Sequence, residues 1–354
     1  MLILRPEEVE GLLTMGETIA AVEDAFREWG MDFEINDTRR RLHAGAARLN
    51  TMQGALPSRG QIGLRIQCEV LKALGATQTY PSRSPLVDVI FDTHSAAPLA
   101  ILLSSTKRGA TSDGVGFQTS DFMTASISAV GTRWMSRPES KILALLGAGK
   151  QARTHLTAMK EIRELRRVRV FCRTPETRKG FAEEMSSLLN LDVVPVGTME
   201  EAVQDADIIL TATNSNVPVL SGAQLREGVH VTSIVGSNIG MVKAGVISQK
   251  RRELDDETIL RAQRIGITSR AQAVQDEQGD IFDQVESGLI SSNKVSDLRE
   301  IVSGRAIGRS NPREITLFKN NGGQGVAELA IADLILSKAR AKNLGIEVNW
   351  GEGY

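Results

Sequence analysis

The run Gly147-Ala148-Gly149-Lys150-Gln151-Ala152 has the spacing of a phosphate-binding turn. It follows the apolar stretch KILALL and opens the helical pattern ARTHLTAMKEI. In G-x-G-x-x-G/A the first glycine permits a tight turn, and the second lets the backbone approach a pyrophosphate at the start of the helix. A later strand pattern, RVRVFCR, completes the strand-helix-strand arrangement. The sequence therefore predicts a dinucleotide site here, and the alternative is a glycine turn that serves packing alone.

The end of this second strand bears on which dinucleotide is bound. An acidic residue at this place would bind the ribose 2′-hydroxyl of NAD, whereas the chain has Cys172-Arg173-Thr174. Arg173 and Thr174, with Arg178, suit a 2′-phosphate, so the sequence favours NADP(H) over NAD(H). Thr174-Pro175 also fits an N-cap followed by proline at the first helical position, a role that is compatible with either cofactor.

Two further strand ends are candidates for contact with the cofactor, because ligands of parallel sheets bind beyond the carboxyl ends of the strands. Thr211 and Thr213 lie at the end of ADIILTATN, and Gly236 lies at the end of VHVTSIVG. We predict that these three residues line the same dinucleotide site.

The elements that position these residues alternate between strand and helix over residues 123–312, which predicts a parallel sheet with right-handed crossovers. Before them, GLRIQCEVL, LVDVIFD and PLAILLSS are typical of strands in a first domain. The last stretch, EITLFKNNGGQGVAELAIADLILSKARAK, predicts a strand, a glycine turn and a helix that return to that domain. We therefore predict an α/β fold. A Rossmann-type parallel-sheet domain covers 123–312, and an α+β substrate and dimerisation domain combines 1–122 with 313–354.

The composition limits the partners of the protein. The 42 basic and 43 acidic residues give a net charge of -1, which argues against nucleic acid and anionic membranes and favours a small metabolite. No run approaches the roughly 18 apolar residues of a membrane span. The two cysteines form no CxxC pair and the four histidines show no HxH or HExxH spacing, so we expect no disulfide framework and no metal site. A cytoplasmic protein is expected.

Several other motifs occur in order along the chain, namely Pro98-Leu99-Ala100, the glycine turn extended to His155, Arg252-Glu253-Leu254-Asp255, Gly279-Asp280, Gly304-Arg305 with Gly308-Arg309, and Thr316-Leu317-Phe318. With these motifs the chain resembles the ornithine cyclodeaminase/mu-crystallin family over nearly its whole length. The resemblance implies a homodimer, with a Rossmann domain and a separate substrate and dimerisation domain. It also implies that the glycine run 320–325 lies against the nicotinamide or the substrate, although a plain turn at a helix start fits that run equally well.

In this family an arginine and a later lysine bind the substrate carboxylate, and the matching positions are Arg41 and Arg65. Arginine in place of lysine keeps the charge and adds a planar fork that suits a bidentate carboxylate. Arg41 also ends a run of three arginines that fits a solvated face. The arginine that completes the family's carboxylate clamp is Met123 here. We expect that Arg108, in the polar segment 104–121, supplies a substitute cation, or else that the substrate is bulkier at this place.

The family's catalytic aspartate corresponds to Asn238, and an amide is not basic at neutral pH. This difference disfavours ornithine cyclodeamination. It favours hydride transfer between NADP(H) and the C=N or CH–NH carbon of a small carboxylated imine or amino acid. Cyclodeamination and a mu-crystallin-like, cofactor-gated binding protein stay open as alternatives. In an imine reduction the proton is expected from water, from Lys72 or from the substrate's own carboxylate network.

Overall fold

The computed structural model describes residues 1–70, 82–104, 118–236, 239–243, 245 and 247–349. The chain divides into two compact units. The first unit comprises Met1–Met123 with Gly323–Tyr354, and the second comprises Thr124–Gly322. Both units combine strands and helices, so the α/β class predicted from the sequence is confirmed.

The first unit is built on one mixed sheet. Its strands are β1 (Leu2–Leu4), β2 (Arg40–Ala44), β3 (Ala47–Leu56), β4 (Gln61–Val70), β5 (Ser82–Arg83), β6 (Leu86–Asp92), β7 (Pro98–Ser104) and β16 (Ile346–Glu347). Its helices are α1 (Pro6–Val9), α2 (Met15–Met31) and α12 (Gly325–Ala341). The strand order is β16-β1-β7-β6-β4-β3-β2, and β5 pairs with β4. The three predicted strand segments are confirmed as β4, β6 and β7.

The two faces of this sheet differ in burial, because successive side chains of a strand point to opposite faces. Along β3 the even-numbered residues, including Met52 and Leu56, are buried. Helix α12 begins against this strand. A Cβ atom on Gly325 would lie 1.8 Å from the carbonyl oxygen of Gln53, and one on Gly54 would lie 2.4 Å from the Gly325 backbone. The helix start and the strand are therefore in direct backbone contact.

The second unit is built on a parallel sheet. Its strands are β8 (Ile142–Leu146), β9 (Arg167–Phe171), β10 (Val193–Pro195), β11 (Ile208–Thr211), β12 (His230–Ser233), β13 (Arg264–Ile267), β14 (Val295–Asp297) and β15 (Thr316–Lys319). Its helices are α3 (Thr119–Met135, from Thr124 onward), α4 (Lys150–Ile162), α5 (Pro175–Leu189), α6 (Met199–Val203), α7 (Ile239–Lys243), α8 (Asp256–Arg261), α9 (Arg270–Gln275), α10 (Phe282–Glu286) and α11 (Leu298–Val302). The strand order is β10-β9-β8-β11-β12-β15-β13-β14.

The domain boundary predicted at residue 313 is wrong by about one strand. β15 pairs in parallel with both β12 and β13, with Leu317 opposite Val231 on one side and Ile265 on the other. It is therefore an interior strand of the second unit, and only α12 and the residues around it belong to the first. Within the described ranges, no helix has both the length and the apolar character needed to cross a bilayer.

Candidate functional site

The glycine turn lies between β8 and α4, as the motif predicts. Gly147 has a φ of +118°, and a Cβ atom on it would lie 2.3 Å from the carbonyl oxygen of Ala212. Its N–H donates to the carbonyl of Phe171, at the end of β9, over 2.8 Å. Only glycine fits a position with both this backbone conformation and this close approach. The turn is therefore closed against the ends of β9 and β11.

The second glycine of the turn leaves room for a ligand. Gly149 is the exposed N-cap of α4, and a Cβ atom on it would meet no atom of the described chain within 4 Å. Lys150 is exposed and Gln151 half-buried at the start of the helix, whereas Ala152 is fully buried behind it. Backbone N–H groups and the positive end of a 13-residue helix thus border an open space. These residues fit the pyrophosphate of a dinucleotide.

The residues predicted to favour NADP(H) over NAD(H) follow β9, beside the glycine turn. Arg173 and Thr174 are exposed, and Thr174 is the N-cap of α5 with Pro175 as the first helical residue. Arg178 is half-buried, donates from Nη1 to the carbonyl of Cys172 over 2.8 Å, and lies 5.6 Å from the ring centre of Phe171. Arg173 is thus exposed beside the turn, whereas part of the Arg178 guanidinium is engaged by its own strand end.

Of the three residues predicted to contact the cofactor at the ends of β11 and β12, one differs in the structure from what we predicted. Thr213 and Gly236 are half-buried, and a Cβ atom on Gly236 would meet nothing within 4 Å in the described chain. Thr211, however, is fully buried and its hydroxyl donates to the carboxylate of Glu253 over 2.9 Å. The predicted cofactor contact of the Thr211 side chain is therefore corrected, because that side chain supports the strand end from within the protein.

A buried charged network lies behind these strand ends. Glu253, Asp280 and Lys319 are each fully buried. Lys319 Nζ donates to Asp280 over 2.5 Å and to Ser233 Oγ over 2.8 Å, and Ser233 Oγ in turn donates to Glu253 over 3.0 Å. The sequence motifs include Glu253 and Asp280, but their role becomes visible only from the contacts. The sequence signal that could have found them is the presence of both carboxylates within motifs that match the family.

In the first unit, Arg65 is engaged by two acidic side chains. Its guanidinium donates to both oxygens of Asp88 over 2.6 and 3.0 Å and also to Glu328, and all three side chains are buried. Burial alone would lower the pKa of Arg65, but Asp88 and Glu328 raise it, so the guanidinium stays charged. The structure thus gives Arg65 two protein carboxylates as partners, in place of the substrate carboxylate that we predicted.

One guanidinium facing two carboxylates leaves an excess negative charge. Burial, opposed by Arg65 and reinforced by the charge of Asp88, raises the pKa of Glu328 to about 7. Arg39 also lowers that pKa. Glu328 therefore holds a proton over much of the range below neutral pH.

The other predicted substrate residues are placed as follows. Arg41 lies half-buried on β2 opposite Asn50, and therefore on the same sheet face as Met52 and Arg65. Met123 is buried in the first unit, and a Cβ atom on Gly323 would lie 2.8 Å from its Cε. The predicted Arg108, Asn238 and Lys72 lie outside the described residues.

The run 320–325 is fixed by its own side chains. Asn320 donates to the carbonyl of Thr124 and to Ser128 Oγ, both over 2.8 Å. Asn321 donates to the carbonyl of Ser269 and accepts from its N–H. The two asparagines therefore hold the beginning of this run within the second unit.

His155 also serves the framework of the second unit. It is fully buried, and its ring nitrogens contact the carbonyl of Gln151 and Ser128 Oγ at 2.8 and 3.0 Å. Burial lowers the pKa of His155 to about 4, so its ring is neutral at physiological pH. No group of three His, Cys, Asp or Glu side chains suited to a metal ion occurs among the described residues.

Known proteins of similar sequence match three quarters or more of the chain. The Delta(1)-pyrroline-2-carboxylate reductase of Bacillus cereus is 28% identical over 348 residues, which cover 96% of this chain and 95% of the relative. The ketimine reductase mu-crystallin of Macropus fuliginosus is 28% identical over 270 residues, which cover 75% of this chain and 71% of the relative.

Among solved structures, Thermococcus litoralis Delta(1)-pyrroline-2-carboxylate reductase, in complex with NADH and L-proline, matches with a TM-score of 0.81. It is 29% identical, and the match covers 98% of this chain and 100% of that chain. The parallel sheet and the glycine turn, together with these relatives, define an NAD(P)-dependent oxidoreductase. The sequence profile of the ornithine cyclodeaminase/mu-crystallin family matches residues 1–343. The chain belongs to that family.

Proposed function

We propose that the protein reduces a small cyclic imine with a carboxylate beside its C=N bond, using NADPH, and forms the corresponding cyclic amino acid. The observation that carries this proposal is similarity over nearly the full length to reductases named for such a substrate, one of them solved with NADH and L-proline. The glycine turn supplies the independent physical support, because its geometry suits a dinucleotide pyrophosphate.

The second unit is proposed to hold the cofactor, which when bound supplies the hydride. The N–H groups around Gly149 bind the pyrophosphate, and Gly236 and Thr213 border the same strand-end region. Arg173 binds the 2′-phosphate of NADP(H), because an exposed guanidinium at the end of β9 favours that group and the strand end carries no acidic residue for a ribose hydroxyl.

The first unit is proposed to hold the substrate through Arg41, whose positive charge and half-buried position suit a carboxylate. Arg65 contributes less directly, since its donors face Asp88 and Glu328. Arg108 stays a proposed further cation, and Asn238 a proposed polar contact that lacks the basicity for cyclodeamination.

The first unit is also proposed to form a homodimer. The outward face of its sheet is apolar, and Leu49, Ile62 and Val70 are 36%, 49% and 37% exposed. A sheet face of this kind is stabilised when a second sheet covers it. A second copy of the chain is the proposed occupant, in agreement with the family resemblance.

We further propose a cytoplasmic enzyme, in which Cys68 and Cys172 stay reduced.

The test is to incubate the purified protein with NADPH or NADH and a panel of cyclic and linear imines, with and without a carboxylate. Ornithine with NAD forms a separate arm. We expect oxidation of NADPH only with carboxylated imines, and faster turnover of cyclic ones. Proline and ammonia from ornithine would instead indicate cyclodeamination. Cofactor binding without turnover of any imine would indicate a binding protein.

A further inference from the structure

We propose that Glu253 is a positioning residue of the cofactor site, which holds the ends of β11 and β12 at the spacing that a bound dinucleotide requires. The inference rests on the proposed binding of a dinucleotide, but not on the identity of the imine. Glu253 lies in the segment before α8 and is fully buried, although a buried carboxylate is costly unless it is hydrogen-bonded.

The carboxylate of Glu253 connects two strand ends. It accepts the hydroxyl of Thr211 at 2.9 Å and the N–H of Thr213 at 2.5 Å, both at the end of β11. It also accepts the hydroxyl of Ser233 at 3.0 Å and the N–H of Val235 at 3.1 Å, at the end of β12. Without it, the buried backbone N–H of Val235 would lose this acceptor, and the connection that Glu253 makes between the two loops would be lost.

These contacts reach the glycine turn through one peptide. Ala212 lies between the two anchored threonines, and its carbonyl oxygen is the atom that a Cβ on Gly147 would approach to 2.3 Å. The turn therefore closes against a peptide that Glu253 fixes from both sides. After β12, the residue with the anchored N–H, Val235, directly precedes Gly236, a predicted cofactor contact. A small displacement of Glu253 would shift two borders of the cofactor site together.

The position of Glu253 is itself fixed by charge. Asp280 Oδ1 accepts the backbone N–H groups of Glu253 and Leu254 at 3.1 and 3.2 Å. Lys319, on β15, binds the other oxygen of Asp280 and the hydroxyl of Ser233. Packing alone would be served by an apolar side chain of similar size, whereas directed contacts to two loops require an acceptor with several lone pairs.

The experiment compares Glu253→Gln with a matched control, Glu314→Gln, in the full-length protein. Glu314 is also buried in the second unit and accepts from Ser310 N–H at 2.7 Å and Arg264 at 3.1 Å. It precedes the amino end of β15, whereas the predicted cofactor contacts follow the carboxyl ends of the parallel strands. The dissociation constants of NADPH and NADH are measured by nicotinamide fluorescence, with circular dichroism as the measure of folding.

We expect Glu253→Gln to raise the dissociation constants of both cofactors roughly tenfold or more, because the new amide N–H groups oppose backbone donors. The KM of the imine at saturating cofactor should stay within about twofold. Glu314→Gln should lower stability without changing cofactor affinity. Equal cofactor affinity of folded Glu253→Gln and wild type would overturn the proposal, as would equal losses in both variants.

A milder variant tests the same proposal if Glu253→Gln does not fold. Thr211→Val keeps the shape of the side chain and removes one donor to Glu253, so we expect a several-fold weaker binding of both cofactors with an intact fold. Unchanged binding in this variant would count against the proposal. If wild type binds NADPH but turns over no imine, the proposed reaction fails while the role of Glu253 is still decided by the affinities.

Discussion

Replacing Glu328 with glutamine should make the protein more stable at high pH and not at low pH. In the native protein Glu328 and Asp88 face one guanidinium, that of Arg65, in a fully buried cluster. Glutamine keeps the shape of Glu328 and an oxygen that accepts from Arg65, but it removes the excess negative charge. The remaining pair is then a single arginine with a single carboxylate.

The magnitude follows from the pKa of Glu328, which burial raises from the ordinary 4.5 to about 7. Between these values the folded state holds a proton that the unfolded state has released, so stability falls as the pH rises. The full effect, reached above pH 7, is about 3 kcal/mol. A weaker hydrogen bond from Arg65 to a neutral acceptor offsets roughly 1 kcal/mol of the gain. The variant should therefore gain about 2 kcal/mol at pH 8 relative to wild type, and gain nothing at pH 4.5.

Urea denaturation followed by circular dichroism at several pH values from 4.5 to 8 would measure the difference. Glu17→Gln is the control, because Glu17 lies on α2 in the same unit but is 46% exposed beside Lys338. Hydrogen bonding to Lys338 lowers the pKa of Glu17, so its contribution has the opposite sign and should stay below about 1 kcal/mol. A stability difference between Glu328→Gln and wild type that is independent of pH would show that folding does not raise the pKa of Glu328, and the reasoning would be refuted.

Three other predictions concern the cofactor and the assembly. Gly149→Ala should fold normally, since its φ of -89° suits alanine and the space beside it is open. It should weaken NADPH binding roughly tenfold or more in a fluorescence titration. Unchanged affinity would indicate that the pyrophosphate binds elsewhere. Arg173→Ala should raise the dissociation constant of NADPH by about 10–100-fold and leave that of NADH unchanged, whereas equal losses would exclude a role in recognition of the 2′-phosphate. Ile62→Lys should convert the proposed dimer to a monomer, because a lysine would be buried against an apolar face. Analytical ultracentrifugation measures the change, and an unchanged sedimentation coefficient would argue against this face as the interface.

The sequence predicted the parts of the fold that depend on local pattern. The glycine turn, the strand before it and the helix after it follow from residue types within a short window, and Gly147 has the positive φ that the motif requires. The alternation of strands and helices that follows the turn is also confirmed. Periodicity is sufficient in these segments because strand and helix patterns differ clearly.

The remaining features depend on contacts between distant residues, which local pattern does not contain. Arg65 was predicted to bind substrate because it matches the position of the family's carboxylate-binding lysine. Its partner Glu328 lies 263 positions away, so local pattern gave no indication of the ion pair. β15 was assigned to the wrong domain because a short buried strand does not reveal which sheet it joins. Thr211 was expected to face the cofactor because its position at a strand end gave no indication that Glu253 would accept its hydroxyl.

The position of β15 affects how the protein is made. This strand is inserted between β12 and β13, although the chain forms it after β14, and α12 follows it to complete the first unit. During translation the parallel sheet therefore keeps a gap between β12 and β13 until β15, which ends at Lys319, has been synthesised. The face of the first sheet that packs against α12 also stays uncovered until α12 has formed, so the nascent chain exposes an unpaired strand edge and apolar surface until this late segment is made. Chaperone assistance should matter more for this protein than for one whose sheet grows in the order of translation.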